Sequence, residues 1–321
     1  MKEKSKKFKF SIVEIVMWTV FVVLALYSLT VLFIFIWGFV TSFKSTIDFT
    51  IMGNVLGFPK WNVSQAEMQG YNYRLVGLSF EFKINASSYE SIFGTITKPK
   101  IYTNIGSLII NTVFYAFIGS FVDVATSLVV AYVVAKYRFK FSNFLYGLVL
   151  VLLIIPIVGN YPAQIKLMKD LALFNTRLGI IITSITFTGT YFLILAGFFE
   201  GIPDSYSEAA EIDGASQFSI FIRIYVPLSA KIFATVMLLT FITRWNNYQT
   251  ALMYFPSLPT LAYAVFQVSN QTSNPNPELK GAWDTPQKIA ACMSLALPLI
   301  ILFMFLNKRI MGDISLGGLK E

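Results

Sequence analysis

Residues 208–227 read EAAEIDGASQFSIFIRIYVP, a stretch polar enough to leave a lipid bilayer yet patterned enough to dock on another surface. Apolar runs flank it on both sides, so it reads as a connector between two membrane spans, where an aqueous compartment is coupled to the bilayer. Just upstream, Pro203 and Asp204 interrupt the preceding apolar run. Ser205 and Glu208 have the S-x-x-E spacing of a capping box, in which each side chain satisfies a free backbone N–H at a helix start. A short helix is expected to begin there. Ala209 and Ala210 keep one of its surfaces narrow, and Asp213 and Gly214 mark its end, where Gly214 supplies the positive φ that a helix C-terminus often needs. A second amphipathic turn carries Phe218, Phe221, Ile222 and Ile224 before Pro227 sets the entry to the next span.

The rest of the chain explains why such an island matters. Hydrophobic residues make up 55% and charged residues 13% of the 321 positions, and the mean hydropathy is +0.64. That is an integral membrane protein, not a soluble domain. A bilayer span needs about 20 apolar residues, and the sequence supplies about six such runs. They are continuous instead of alternating, so an all-α bundle is expected and a lipid-facing barrel is not. The net charge of +8 gathers beside the spans and forms no aromatic-interleaved stripe, so no nucleic acid is expected. Cys292 is the single cysteine, which excludes an intrachain disulfide, and histidine is absent, which removes the commonest metal ligand and general base. No metal site is expected.

The spans are read at residues 13–40, 105–134, 144–158, 178–199, 228–255 and 289–306. Residues 1–12 form a basic segment, 41–104 an extracytoplasmic loop with an alternating stretch near Leu78 to Ile84 suited to a short strand pair, 105–306 a five-helix core containing the connector 203–227, and 307–321 a tail. The first run is too long for a signal peptide and is read as a retained helix. Residues 159–177 carry amphipathic spacing at Ile165, Met168, Leu171 and Leu173, which suits an interfacial helix. Lys2 to Lys9, Lys136, Arg138, Lys140, Arg223, Lys308 and Arg309 fall on one side of a six-helix arrangement, so both termini are expected in the cytoplasm.

A capped connector alone would account for a helix–turn–helix link. The combination of E-A-A at Glu208, Ala209 and Ala210, D-G-A at Asp213, Gly214 and Ala215, and I-x-V-P from Ile224 to Pro227 is more particular, and it resembles the EAA signature of bacterial ABC importer permeases. The likeness continues through Asn111, Ala131-Tyr132, Tyr137-Arg138-Phe139, Ile155-Pro156, Leu173 to Gly179, Gly197 to Pro203, Trp245-Asn246 and Arg309 to Gly318. From about residue 104 onward the chain is similar to the carbohydrate-uptake, MalG-like branch. Val226 stands where that family often has leucine, and Lys231 where it often has a second proline.

The resemblance implies a permease subunit of the bacterial cytoplasmic membrane that couples ATP hydrolysis in other subunits to alternating access for a sugar or oligosaccharide. It implies a second homologous permease, two ATP-binding cassette subunits, an extracytoplasmic solute-binding protein and membrane lipid as partners. ATP and Mg would be used by those ATPase subunits, and this chain would bind no cofactor. It has no G-x-x-x-x-G-K-[ST] loop to cradle phosphates and no H-E-x-x-H, so it is not expected to be an enzyme. The glycines of the tail, Gly312, Gly317 and Gly318, would reach the ATPase.

Polar residues inside the spans are the other candidates. Asp123 lies mid-span, where a carboxylate must face protein or water, and two readings stand: a hydrogen bond between helices or a place on the solute pathway. Arg244, Trp245, Asn246, Asn247 and Tyr248 form a cluster suited to a saccharide route, with the alternative that Arg244 snorkels to the interface beside belt aromatics. A non-carbohydrate solute is the alternative cargo, and a channel or secondary transporter the rival class.

Overall fold

The computed structural model describes residues 12–45, 47–60, 105–137, 140–155, 159–270 and 285–311. Every regular element among them is helical. The strand pair expected near Leu78 to Ile84, the basic N-terminus and Gly312, Gly317 and Gly318 lie outside the described residues. The chain forms two compact units.

The first unit takes residues 1–76 with 284–293. Its helix α1, Ile12–Thr41, is apolar all round, and its few hydroxyls turn back on the helix: Thr19, Ser28 and Thr30 each donate to the carbonyl four residues earlier. In lipid that removes the cost of a free O–H. After α1 the chain folds into a tight knot around a π turn at Ile47–Ile51. Lys44 and Asp48 are both buried there. The Lys44 Nζ donates to the carbonyls of Asn54 and Val55 at 2.8 and 2.9 Å, while Asp48 accepts from Asn54 Nδ2 at 3.0 Å and from the Lys60 N–H at 3.3 Å. Desolvation pushes the Lys44 ammonium below the ordinary lysine value, opposed by the Asp48 charge.

The second unit takes residues 77–283 with 294–321. Its helices are α2 (Ile105–Lys136, broken by a π turn at Phe114–Ile118), α3 (Lys140–Ile154), α4 (Tyr161–Asp170), α5 (Arg177–Thr183), α6 (Thr190–Glu200), α7 (Ser205–Ile212), α8 (Gln217–Trp245, with a π turn at Phe221–Tyr225), α9 (Gln249–Tyr254) and α10 (Leu261–Asn270). The last helix, α11 (Thr285–Met311), begins in the first unit and continues in the second. α6 and α8 pack on α2. Ala131 and Ala196 are fully buried between them, the small side chains that let helix backbones approach in a membrane.

Among the described residues, four helices are long and apolar enough to cross a bilayer: Val13–Thr41, Ile105–Lys136, Gln217–Trp245 and Thr285–Phe305. Phe141–Ile154 and Thr190–Glu200 are apolar but shorter. The expected span at 178–199 is two helices, α5 and α6, separated at Ser184–Gly189. The reason is local: Ser184, Thr186, Thr188 and Gly189 are poor helix formers whose hydroxyls compete for backbone groups. The Thr186 carbonyl freed by the break is taken up by Thr126 Oγ1 and Ser127 Oγ of α2, at 2.9 and 3.1 Å. The expected span at 228–255 starts earlier and stops at Trp245, and the apolar tail of that run becomes α9. Ten residues read as connection, 261–270, form α10, six of them buried. Residues 159–177 do contain a helix, α4, which buries Ile165 and Met168 while Leu171 stays exposed.

Candidate coupling surface and an intramembrane ion pair

The connector between α6 and α8 is a short helix held out from the bundle by a polar and aromatic mount. α7 has no buried residue. Its start differs from the capping box: Asp204 is the N-cap, in helical conformation and without a side-chain bond to the helix. The Asp204 carboxylate is drawn instead to Lys136 Nζ at 2.8 Å, and that ammonium also donates to the Ile202 carbonyl. An ionic partner outcompetes a backbone N–H here. The helix end follows expectation. Gly214 has φ +79°, the Gly214 N–H donates to the Glu211 carbonyl at 3.0 Å, and the Ala215 N–H to the Ala210 carbonyl at 2.9 Å. These two bonds are a Schellman closure, and it turns Ala210 and Ala215 inward against the core.

Ser216 then caps the start of α8, its Oγ accepting from the Ser219 N–H at 3.3 Å. The separate amphipathic turn expected before Pro227 is continuous with the span. Proline removes an N–H and crowds the carbonyl of the preceding turn, and the wider π turn at Phe221–Tyr225 lies directly before it. The mount is aromatic: Tyr132 of α2 lies 4.7 Å from Phe221, 4.8 Å from Tyr225 and 5.6 Å from Phe199, centroid to centroid. Gln217 bridges the two arms, accepting from Tyr137 Oη at 2.7 Å and donating to Glu211 Oε1 at 2.6 Å.

The outward side is a mixed surface. Glu208, Ala209 and Asp213 are exposed, Ile224 is half-buried against the core and Pro227 is exposed. Ile212 and Phe218 are 87% and 75% exposed. Beside α7 lies a cleft of about 700 Å³ lined by Lys136, Ser142, Asn143, Glu200 and Asp204. Tyr225 Oη donates to Ser207 Oγ of α7 at 3.3 Å, and nothing in the sequence alone marks Lys136, Tyr137, Ser207 or Gln217 as parts of this site. Lys136 carried a signal, but as a marker of orientation, and only the fold sets it against Asp204.

The second constellation is in the bundle. Arg244, in the last turn of α8, reaches Asp123 of α2, Nη2 to Oδ2 at 3.1 Å. Its Nη1 donates to Ser184 Oγ at 3.0 Å, and its guanidinium lies 5.7 Å from the Tyr115 ring centroid. Ser184 opens the break between α5 and α6, so one arginine ties three elements together. Gly119 makes room: a Cβ there would lie 2.8 Å from Nη1. The two side chains are 15% and 19% exposed, so Arg244 turns inward instead of snorkelling, because a carboxylate inside the bundle is the stronger partner. The rest of the expected cluster does not join them. Trp245 donates to the Leu295 carbonyl at 3.1 Å, Asn246 to the Ile242 carbonyl at 2.9 Å, Asn247 caps the Thr250 N–H at 3.0 Å, and Tyr248 stacks on Phe266 at 4.0 Å.

Residues 124–314 match the family described as "Binding-protein-dependent transport system inner membrane component". That span holds the broken helix, the mounted connector and Arg244. The chain belongs to this family. It is therefore a permease, a multi-pass membrane subunit and not the ATPase of its transporter. The permease is 25% identical over 285 residues to the arabinooligosaccharides transport system permease protein AraQ of Halalkalibacterium halodurans, covering 88% of this chain and 97% of that one. It is 26% identical over 243 residues to the trehalose transport system permease protein SugB of Mycobacterium tuberculosis, covering 74% and 82%. Its fold is similar to a chain in the crystal structure of a bacterial ABC transporter involved in the import of the acidic polysaccharide alginate, with TM-score 0.65, 22% identity, and 96% and 100% of the two chains covered.

Proposed function

We propose that this permease moves a sugar or oligosaccharide, and that Glu208 to Gly214 is the lever through which two ATP-binding cassette subunits drive it. The observation that carries the reading is the mounting of α7: exposed on its outer side, closed by a Schellman turn at Gly214, and fixed to α2 and α8 through Lys136, Gln217 and Tyr225. A lever must be rigid at its root and open at its tip. Glu208, Ala209, Asp213 and the exposed Ile212 and Phe218 meet the ATPase, while Ala210, Ala215, Ile224 and Pro227 transmit its movement into α8. A two-state bundle biased by nucleotide binding in the partner then exposes the pathway to one side at a time.

The carbohydrate cargo rests on the relatives' names. The complex also contains a second homologous permease and an extracytoplasmic solute-binding protein; ATP and Mg act in the cassette subunits, and both termini of this chain lie in the cytoplasm, with Gly312, Gly317 and Gly318 of the tail against the ATPase. α3, and α5 with α6 taken together across their break, complete six crossings. The test is substrate-stimulated ATPase in reconstituted transporter carrying Glu208→Lys with Asp213→Lys. The expected result is loss of stimulation with the permease still inserted; unchanged stimulation and ATPase co-purification would sink the assignment. Transport that persists without ATP would favour a secondary transporter instead.

A further inference from the structure

The knot that follows α1 carries an apolar tip that the mechanism above does not use. Leu56 and Phe58 are 75% and 80% exposed, and Met52 and Val55 beside them are exposed as well. Several polar groups of this turn are taken up inside it: Lys44 Nζ holds the Asn54 and Val55 carbonyls, and Asn54 Nδ2 bonds Asp48 and the Phe58 carbonyl at 3.0 and 2.9 Å. Irregular backbone does not stand bare in the hydrocarbon region, so such a turn can meet lipid only at the interface, and each polar group satisfied within the protein lowers the cost of doing so. Lys44, Asp48 and Asn54 do part of that here, with the apolar side chains left outside.

The depth of the tip follows from the helix it folds onto. Trp37 Nε1 donates to the Val55 carbonyl at 2.8 Å, so the tip lies back along the last turn of α1 instead of extending beyond Thr41. Trp18 and Trp37 are about 28 Å apart along that axis at ~1.5 Å per residue. That is close to the roughly 30 Å hydrocarbon thickness whose two edges tryptophan favours. Trp37 therefore marks one edge, and Val55 sits at its level.

We propose that residues 52–58 form an interfacial lipid anchor, with Leu56 and Phe58 inserted among the upper acyl chains at the C-terminal end of α1. The anchor fixes the depth of α1.

The experiment places a spin label at Phe58→Cys, with Cys292→Ser removing the chain's own cysteine, in the assembled transporter in phosphatidylcholine/phosphatidylglycerol vesicles. Relaxation by oxygen, which partitions into lipid, and by a water-soluble nickel chelate reads the environment. The expected result is access to oxygen with loss of nickel access, and the same at Leu56→Cys, which also serves if the first variant does not assemble. Nickel access at both sites would overturn the proposal by placing the tip in water. Loss of access to both reagents would overturn it too, since the tip would then be covered by protein: residues 61–104, the second permease or the solute-binding protein.

Discussion

Replacing Asp123 by alanine leaves the Arg244 guanidinium inside the bundle with Ser184 Oγ as its remaining hydrogen-bond partner. Removing one member of a buried pair costs about 3–5 kcal/mol, because the surviving charge keeps its desolvation penalty. Both side chains keep some exposure, so the lower end, about 3 kcal/mol, is expected for Asp123→Ala. Arg244→Ala should cost a similar amount, since it strands the carboxylate and also withdraws the donor from Ser184. The double variant carries no unpaired charge and should lose less than the sum of the two, leaving a coupling energy of about 2 kcal/mol. The assay is reversible unfolding of the purified transporter in mild detergent, completed as a double-mutant cycle. Asp123→Asn distinguishes charge from hydrogen bonding: it keeps an acceptor for Nη2 and should recover part of the loss. Additivity of the two alanine variants within about 0.5 kcal/mol would refute the reasoning, because it would mean that the two groups do not sense each other.

Gly119→Ala places a methyl 2.8 Å from Arg244 Nη1 and should displace the guanidinium, lowering stability by about 1–3 kcal/mol and losing most of that effect in an Arg244→Ala background. Gly179→Ala sets its Cβ 2.2 Å from the Leu173 carbonyl oxygen, where backbone cannot yield, and should destabilise by a similar ~1–3 kcal/mol in thermal unfolding. Gly214→Ala meets nothing within 4 Å, so its cost is torsional, about 1–2 kcal/mol; Gly214→Asn should cost less, read by the same unfolding assay. Lys136→Met keeps the apolar stem and removes the ion pair with Asp204, which is 54% exposed; stability should fall by no more than about 1 kcal/mol, while stimulated ATPase falls because the root of α7 is loosened.

The long apolar runs made α1, α2, α8 and α11 legible, since lipid imposes both length and composition. The connector was legible for a different reason: Gly214 is the residue that a left-handed helix end favours, and the chain adopts that conformation there. The start of α7 was not, because the capping pattern at Ser205 and Glu208 is a local rule and Asp204 answers to Lys136, far away in sequence. The break at Ser184–Gly189 was visible as a run of hydroxyl residues, but apolar content dominated the reading of that span. Asp123 and Arg244 were each conspicuous alone. Their pairing depends on how α2 and α8 pack, and the packing faces are hard to read because both helices leave the regular α-helical period.

Those departures are the π turns at Phe114–Ile118 and Phe221–Tyr225. A π turn accommodates one residue more than the α path, and one residue corresponds to about 100° of rotation on an α-helix. The face that α8 turns toward Tyr132 at one end and the face that carries Arg244 toward Asp123 at the other are therefore out of phase with a single straight helix. Deleting one residue from the turn would restore a regular helix and send Arg244 to another side of it. The spacing between the connector and the arginine is therefore fixed to the residue by the pairing of Arg244 with Asp123.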